Sequence, residues 1–295
     1  MSSAGSALLA TILQARVIDP DAIARAWAAR ARRPFIGADG RLFVVAADHV
    51  ARGALSAGEE RFAMADRGRL LEGLASALTN PRVDGVLAAP DLLDDLVLAG
   101  ALENKLAFGS INRGGLPASA FEIDDRLTGA TVDSVTRIGL DGAKMLLRID
   151  RDDAASAVAL ERAAQWVSGL AAAKTVAIVE PFFARRVGGR LTNDMRTDAV
   201  VESAAIAAGL GDTSAYTWLK LPVVKDFERV AATTSLPIVL LGGEVDDDPD
   251  SQRRGWADAL ALPSVRGLMV GRSMLFPPDG DVDAAVAAAA SLLGR

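Results

Sequence analysis

Short apolar runs recur along the chain, each followed by a polar or glycine-bearing turn and then by a helical pattern. They are Leu42–Ala47, Gly85–Ala88, Leu106–Gly109, Ala143–Leu147, Thr175–Val179, Tyr216–Leu219, Ile238–Leu241 and Gly267–Val270. Runs of this length read as buried strands. The intervening pattern predicts helices over Asp91–Glu103, Ala154–Ala172, Asp198–Ala208 and Asp283–Leu293. Strands alternating with helices imply parallel βα units. Eight such units over about 250 residues match a (β/α)8 TIM barrel in number and size. An open doubly wound sheet would want a Gly-x-Gly-x-x-Gly fingerprint after its first strand; here that strand runs into Asp48-His49. The expected architecture is one α/β barrel domain over 1–295, with residues 1–40 as an N-terminal helical extension. Asp19-Pro20 predicts an N-cap and first helical position within that extension. Its arginines 25, 30, 32 and 33 suit either an anion-binding arm or, the reading preferred here, a helix packed on the outside or bottom of the barrel.

Composition narrows the chemistry. With 51% hydrophobic and 24% charged residues in 295, the core is sizeable. A net charge of −6 and a pI near 5.0 argue against nucleic acid as a partner. There is no cysteine and a single histidine, His49, so a thiolate site and a multi-histidine zinc site are excluded. Neither a metal nor an organic cofactor is expected. The apolar run from Ala7 to Leu13 falls well short of the roughly 20 residues a membrane span needs. The expectation is a cytoplasmic protein without a membrane partner.

Barrels of this kind carry their chemistry at the carboxyl ends of the strands. Those ends present Asp48, Ser110, Asn112, Lys144, Arg148, Glu180, Lys220, Gly242-Gly243 and Gly271-Arg272. Lys220 is the most informative, because the chain has only five lysines against twenty-seven arginines. A lysine pointing into a barrel lumen is a candidate amine nucleophile for a carbonyl substrate. It must shed its proton to attack, which burial and a neighbouring cation both favour; Lys144 is the expected neighbour. Glycine pairs closing the last two strands suit a phosphate, held by backbone N–H groups with Arg272 adding a charge. The segment 184–196 reads as a basic loop with four arginines, either focusing an anionic substrate or forming a solvated or subunit contact. Residues 244–250 look superficially like a calcium loop but lack its spacing and central glycine, so a solvated turn is expected. His49 either shuttles protons or is bonded within its own loop.

These residues carry a resemblance. The chain resembles the class I aldolase superfamily of deoxyribose-phosphate, tagatose-bisphosphate and archaeal-type fructose-bisphosphate aldolases. More closely it is similar to an actinobacterial branch of (β/α)8 proteins often found with inositol-catabolism genes. The segments that carry this are Ala47-Asp-His, 109–115, 121–125, 142–150, Val179-Glu-Pro-Phe182, 217–222, Leu241-Gly-Gly243 and Val270-Gly-Arg272. The resemblance implies that Lys220 forms the Schiff base, that Asp48, Lys144 and Glu180 assist, and that Gly243, Gly271 and Arg272 bind phosphate. Gly242, Arg148 and Ser110 complete the expected substrate contacts. The strand 5 tyrosine that archaeal-type enzymes use for proton transfer is absent, the only tyrosine being Tyr216. The implied activity is a metal-independent aldolase acting on a phosphorylated ketose or keto sugar acid, and the resemblance implies a homo-oligomer. A coenzyme A-dependent, thiolase-like acyl transfer would need a nucleotide site that the sequence does not display. A non-catalytic sugar-phosphate binder has only the missing tyrosine in its favour.

Overall fold

The structure, a computed structural model, describes residues 3–243 and 248–294. Eight parallel strands close into a ring: β1 (Leu42–Ala46), β2 (Gly85–Ala88), β3 (Leu106–Ser110), β4 (Gly142–Ile149), β5 (Val176–Val187), β7 (Thr217–Leu221), β8 (Ile238–Leu241) and β9 (Val265–Val270). Each pairs with the next, and β9 pairs back onto β1 with Val45 opposite Val270. The fold is a (β/α)8 barrel. The strand β6 (Arg190–Asn193) lies outside the ring and pairs antiparallel with the far end of β5.

Helices α3 (Arg67–Thr79), α4 (Pro90–Leu98), α5 (Val132–Ile138), α6 (Ala155–Ala172), α7 (Thr197–Ala208), α8 (Phe227–Ala231), α9 (Pro249–Leu260), α10 (Arg272–Leu275) and α11 (Val282–Ser291) follow the strands. The expected helix Asp91–Glu103 stops early, and the reason is local. Gly100 adopts φ +70°, and the N–H groups of Gly100 and Ala101 bond back to Val97 and Leu96. That is the glycine-terminated stop in which the left-handed residue costs no Cβ clash.

The N-terminal segment departs from expectation in one detail. Asp19-Pro20 does not begin a helix; it sits in the break between α1 (Ser3–Ile18) and α2 (Ala22–Ala29). The first turn of α2 is preceded by Asp21, which makes no side-chain cap. Helix α1 packs on α3 so closely that a Cβ on Gly5 would lie 2.8 Å from the Gly68 carbonyl oxygen. Arg30 and Arg32 pair with Asp141, and Arg33 pairs with Asp84. These aspartates stand just before β4 and β2, where Asp84 also accepts from the Phe43 N–H at 2.7 Å. Here the arginines clamp the chain to the barrel's amino end.

That clamp delivers a plug. Phe35 packs edge-on against Phe108 and Trp218, with ring centroids 5.9 and 5.5 Å apart. With Ile36 it adjoins the lumen cluster of Leu42, Val44, Leu87, Leu106, Ile178, Val239 and Met269. Period-2 alternation places these residues inside the ring, while their neighbours along each strand face the helices. Among the described residues no helix is long and apolar enough to cross a membrane.

Candidate active site

The same alternation that sends Val44, Ile178 and Trp218 into the lumen sends Asp48, Glu180 and Lys220 there, two or four residues further on. At the carboxyl end of the barrel they and Lys144 line one cavity of about 540 Å³. All four are buried. Lys144 Nζ lies 3.0 Å from Asp48 Oδ2 and also contacts Glu180 Oε2. Lys220 Nζ lies 2.8 Å from Glu180 Oε1. One carboxylate thus bridges two ammonium groups, and the lysines expected to be neighbours are neighbours.

The charges of the cluster shape each other. Burial alone pushes the Glu180 carboxyl up, but Lys144 and Lys220 overcome it and hold the value at about 2. Asp48 is likewise favoured toward the acid by burial, yet Lys144, Arg113, His49 and Lys220 keep it well below the ordinary carboxylate range. Burial draws Lys144 down from its usual value; Asp48 and Glu180 oppose that, and the positive charge of Lys220 adds to it. His49 is drawn down to about 3, first by burial and then by Arg272, Lys220 and Lys144, against the pull of Asp48. It is a neutral imidazole at neutral pH, and its Nδ1 has no hydrogen-bond partner among the described residues. Burial thus keeps the charge of His49 off the cluster.

Gly242, Gly243, Gly271 and Arg272 line the cavity beside this cluster. Gly243 takes φ +68°, a conformation that favours glycine. Gly271 is fixed by crowding instead: a Cβ there would stand 2.1 Å from the Ala46 carbonyl oxygen. Arg272 donates to the Gly243 carbonyl at 3.3 Å, tying the two strand ends together. Small residues lining a cavity beside one guanidinium are an arrangement that could receive an anion.

Two of the expected substrate contacts lie elsewhere. The Ser110 hydroxyl donates to Asp48 Oδ2 at 3.0 Å and is fully buried beneath it, outside the cavity lining. Arg148 also stays out of the lining and is spent on the long segment after β3. It pairs with Glu122 and donates to the Gly115 and Glu122 carbonyls at 3.2 and 3.1 Å. Asn112 belongs to that network too, accepting from the Leu146 N–H at 2.9 Å. Tyr216 sits at the opposite, amino end of the barrel near Arg32 and Arg33. Its hydroxyl is remote from Lys220. The acidic run 244–250 lies partly outside the described residues.

The sequence reading missed Arg52, Arg113, Thr192, Asn193 and Met195, all of which line the cavity. The last three arrive on a feature read as a loop. Residues 184–187 and 190–193 form a hairpin, turned at Gly188 and Gly189 with φ +58° and +82°. A Gly-Gly pair between two short runs is a hairpin signal, but the arginines in both arms disguised it.

Comparison with known proteins bears on the family and the fold. The sequence profile described as Cgl0159-like matches residues 40–290. The crystal structure of Cgl0159 from Corynebacterium glutamicum is 50% identical in sequence, covers 97% of this chain and 96% of its own, and superposes with a TM-score of 0.95. An archaeal fructose 1,6-bisphosphate aldolase is 17% identical, with 88% of this chain and 96% of that one covered and a TM-score of 0.65. A Schiff base-forming fructose-1,6-bisphosphate aldolase, at 15% identity and the same coverage, gives 0.60. At those identities the likeness is one of fold. A search of curated proteins finds no match.

Proposed function

The chain belongs to the Cgl0159-like family, and from that premise we propose that it is a class I, Schiff-base aldolase acting on a phosphorylated ketose or keto sugar acid. The observation that carries this reading is the pair of buried lysines, on β4 and β7, sharing Glu180 of the strand β5 between them. A lone buried lysine would need only a counter-ion. Two lysines on one carboxylate, open to a cavity beside an anion cradle, form an arrangement suited to attack a carbonyl.

In the proposed cycle the cradle of Gly242, Gly243, Gly271 and Arg272 holds the substrate phosphate. The Lys220 amine, having passed a proton to its neighbours, adds to the ketone carbon, and the carbonyl oxygen leaves as water after gaining two protons. The resulting iminium withdraws the electron pair of the adjacent carbon–carbon bond as that bond breaks. A base takes the hydroxyl proton of the departing aldehyde, and the enamine left on Lys220 is protonated and hydrolysed. Glu180 and Asp48 are the groups in place for these transfers, since Tyr216 is at the wrong end of the barrel. Glu180 at about 2 is a feeble base while both lysines are charged. While Lys220 is a neutral carbinolamine, and again once the iminium has collapsed to the enamine, one of the two cations depressing Glu180 is gone and its basicity rises. Lys144 remains to hold it in position.

The association of the similar actinobacterial branch with inositol catabolism makes a deoxy-keto-gluconate phosphate a candidate substrate. Borohydride reduction in the presence of dihydroxyacetone phosphate and a panel of phosphorylated carbonyls tests the whole reading. The expected result is a mass increase mapping to Lys220 and absent in Lys220→Met. Reduction that labels another residue, or none across the panel, overturns it.

A further inference from the structure

The hairpin of β5 and β6 stands on the other side of Lys220 from the glycine cradle. In ring order β9 and β8 carry Gly271-Arg272 and Gly242-Gly243, β7 carries Lys220, and β5 comes next. Going that way round, a substrate with its phosphate in the cradle and its carbonyl at Lys220 meets the hairpin with its remaining carbons.

Strand register decides which hairpin side chain faces that space. Glu180, Phe182 and Ala184 follow one another at period 2 along β5, and Glu180 and Phe182 line the cavity. Asn193 pairs directly opposite Ala184, and residues opposite one another in an antiparallel pair share a face. Leu191, opposite Arg186, lies on the same face. Burial agrees: Leu191 and Asn193 are partly buried, whereas Arg190 and Thr192, which alternate with them, are exposed. Arg186 donates to the Ser119 and Ala120 carbonyls at 3.5 and 3.0 Å, fastening the hairpin to the segment after β3. Asn193 is thus held at the cavity wall by a hairpin that is itself tied down. Among the described residues its carboxamide has no hydrogen-bond partner, and it is not closed to solvent.

The charged groups deeper in the cavity already answer one another, Asp48 with Lys144 and Glu180 with both lysines. A sugar hydroxyl both donates and accepts, and so does a carboxamide. Asn193 carries the one amide side chain among the described residues that line the cavity. We propose that Asn193 is a specificity-determining residue whose carboxamide binds a hydroxyl on the half of the substrate that is released as the aldehyde. The enzyme then works on hydroxyaldehyde fragments in preference to unsubstituted ones. This assignment rests on the aldolase reading.

The test runs the reaction in the direction of bond formation, with dihydroxyacetone phosphate, or whichever compound of the panel labels Lys220, as donor. Glyceraldehyde and propanal, which differ in their hydroxyl groups, serve as acceptors. The wild-type enzyme is expected to favour glyceraldehyde by at least about tenfold in kcat/KM, the worth of one good neutral hydrogen bond. In Asn193→Ala that preference should fall by about the same factor. Because each preference is a ratio taken within one protein, partial misfolding lowers both rates and leaves the ratio readable. A wild-type enzyme that uses the two aldehydes alike overturns hydroxyl recognition, and a preference undiminished in Asn193→Ala overturns the choice of residue; in both cases the turnover itself upholds the aldolase reading. No adduct on Lys220 with any donor overturns that reading, and this assignment with it.

Discussion

Lys220 Nζ stands 2.8 Å from Glu180 Oε1, while the other oxygen of the same carboxylate holds Lys144. Removing that carboxylate leaves two buried ammonium groups with Asp48 as the only nearby anion of the cluster. Glu180→Gln keeps the volume and loses the charge. It is expected to destabilise the fold by about 3–5 kcal/mol, the cost of stranding a buried partner. It should also lower kcat/KM by roughly 10²–10⁴-fold, the usual worth of a positioned acid or base. Urea unfolding and turnover of any substrate that labels Lys220 measure the two separately. A variant as stable and as active as the wild type would remove Glu180 from both roles.

His49 gives the protein an acid-side instability with a known sign. Its native value of about 3 lies below the ordinary 6.5, so below pH 6.5 the unfolded chain binds a proton that the native protein refuses. The stability in question is present in full above pH 6.5 and is lost as pH falls toward 3, at up to about 1.4 kcal/mol per pH unit. Glu180, depressed from 4.5 to about 2, adds a second loss between those values, and Asp48 acts in the same direction. Since His49 is the only histidine, unfolding free energies at about pH 8 and about pH 5 should differ in the wild type and converge in His49→Asn. Equal wild-type stability at both pH values would refute the buried neutral imidazole.

Gly271 has no room for a methyl group. Its Cβ would meet the Ala46 oxygen at 2.1 Å and the His49 ring at 3.1 Å. Gly271→Ala should therefore cost about 1–3 kcal/mol through overpacking, and it should raise KM for phosphorylated substrates by displacing the Arg272 turn. A raised melting temperature, or an unchanged KM, would show that the strand ends yield more freely than their contacts imply.

Arg148→Met separates structure from binding. Loss of the guanidinium leaves Glu122 buried and unpaired, for about 3–5 kcal/mol of destabilisation. KM should not move, because Arg148 lies outside the cavity lining. A selective rise in KM with stability intact would restore it to the substrate.

The barrel was legible because short apolar runs at regular spacing leave few other architectures, and the ends of β2 and β8 were read to the residue. Lys220, Lys144, Asp48 and Glu180 were legible through the same alternation, which fixes the face of a side chain from its place in a strand. Arg148 escaped that logic. The sequence places it on the same strand face as Lys144, but the long segment folding back from β3 supplies Glu122 and Asp125 to capture it. Arg113 and Arg52 were missed for the complementary reason: one lies in a loop and the other in the single 3-10 turn Val50–Arg52, where sequence period assigns no direction. The plug by Phe35 was missed because only its contacts with Phe108 and Trp218, far along the chain, reveal it.

That plug also sets how salt acts on the molecule. Beneath the charged layer the lumen is hydrocarbon, sealed at its far end by Phe35 and Ile36, so dissolved ions approach the cluster from the mouth alone. Screening in water has a reach of about 8 Å at physiological ionic strength, and it applies on that side only. The Lys144–Glu180–Lys220 triad is thus electrically insulated from below, whereas the partly buried Arg272 at the rim stands on the side that solvent reaches. Raising ionic strength should weaken substrate capture while leaving the charge state of the triad, and with it kcat, nearly unchanged.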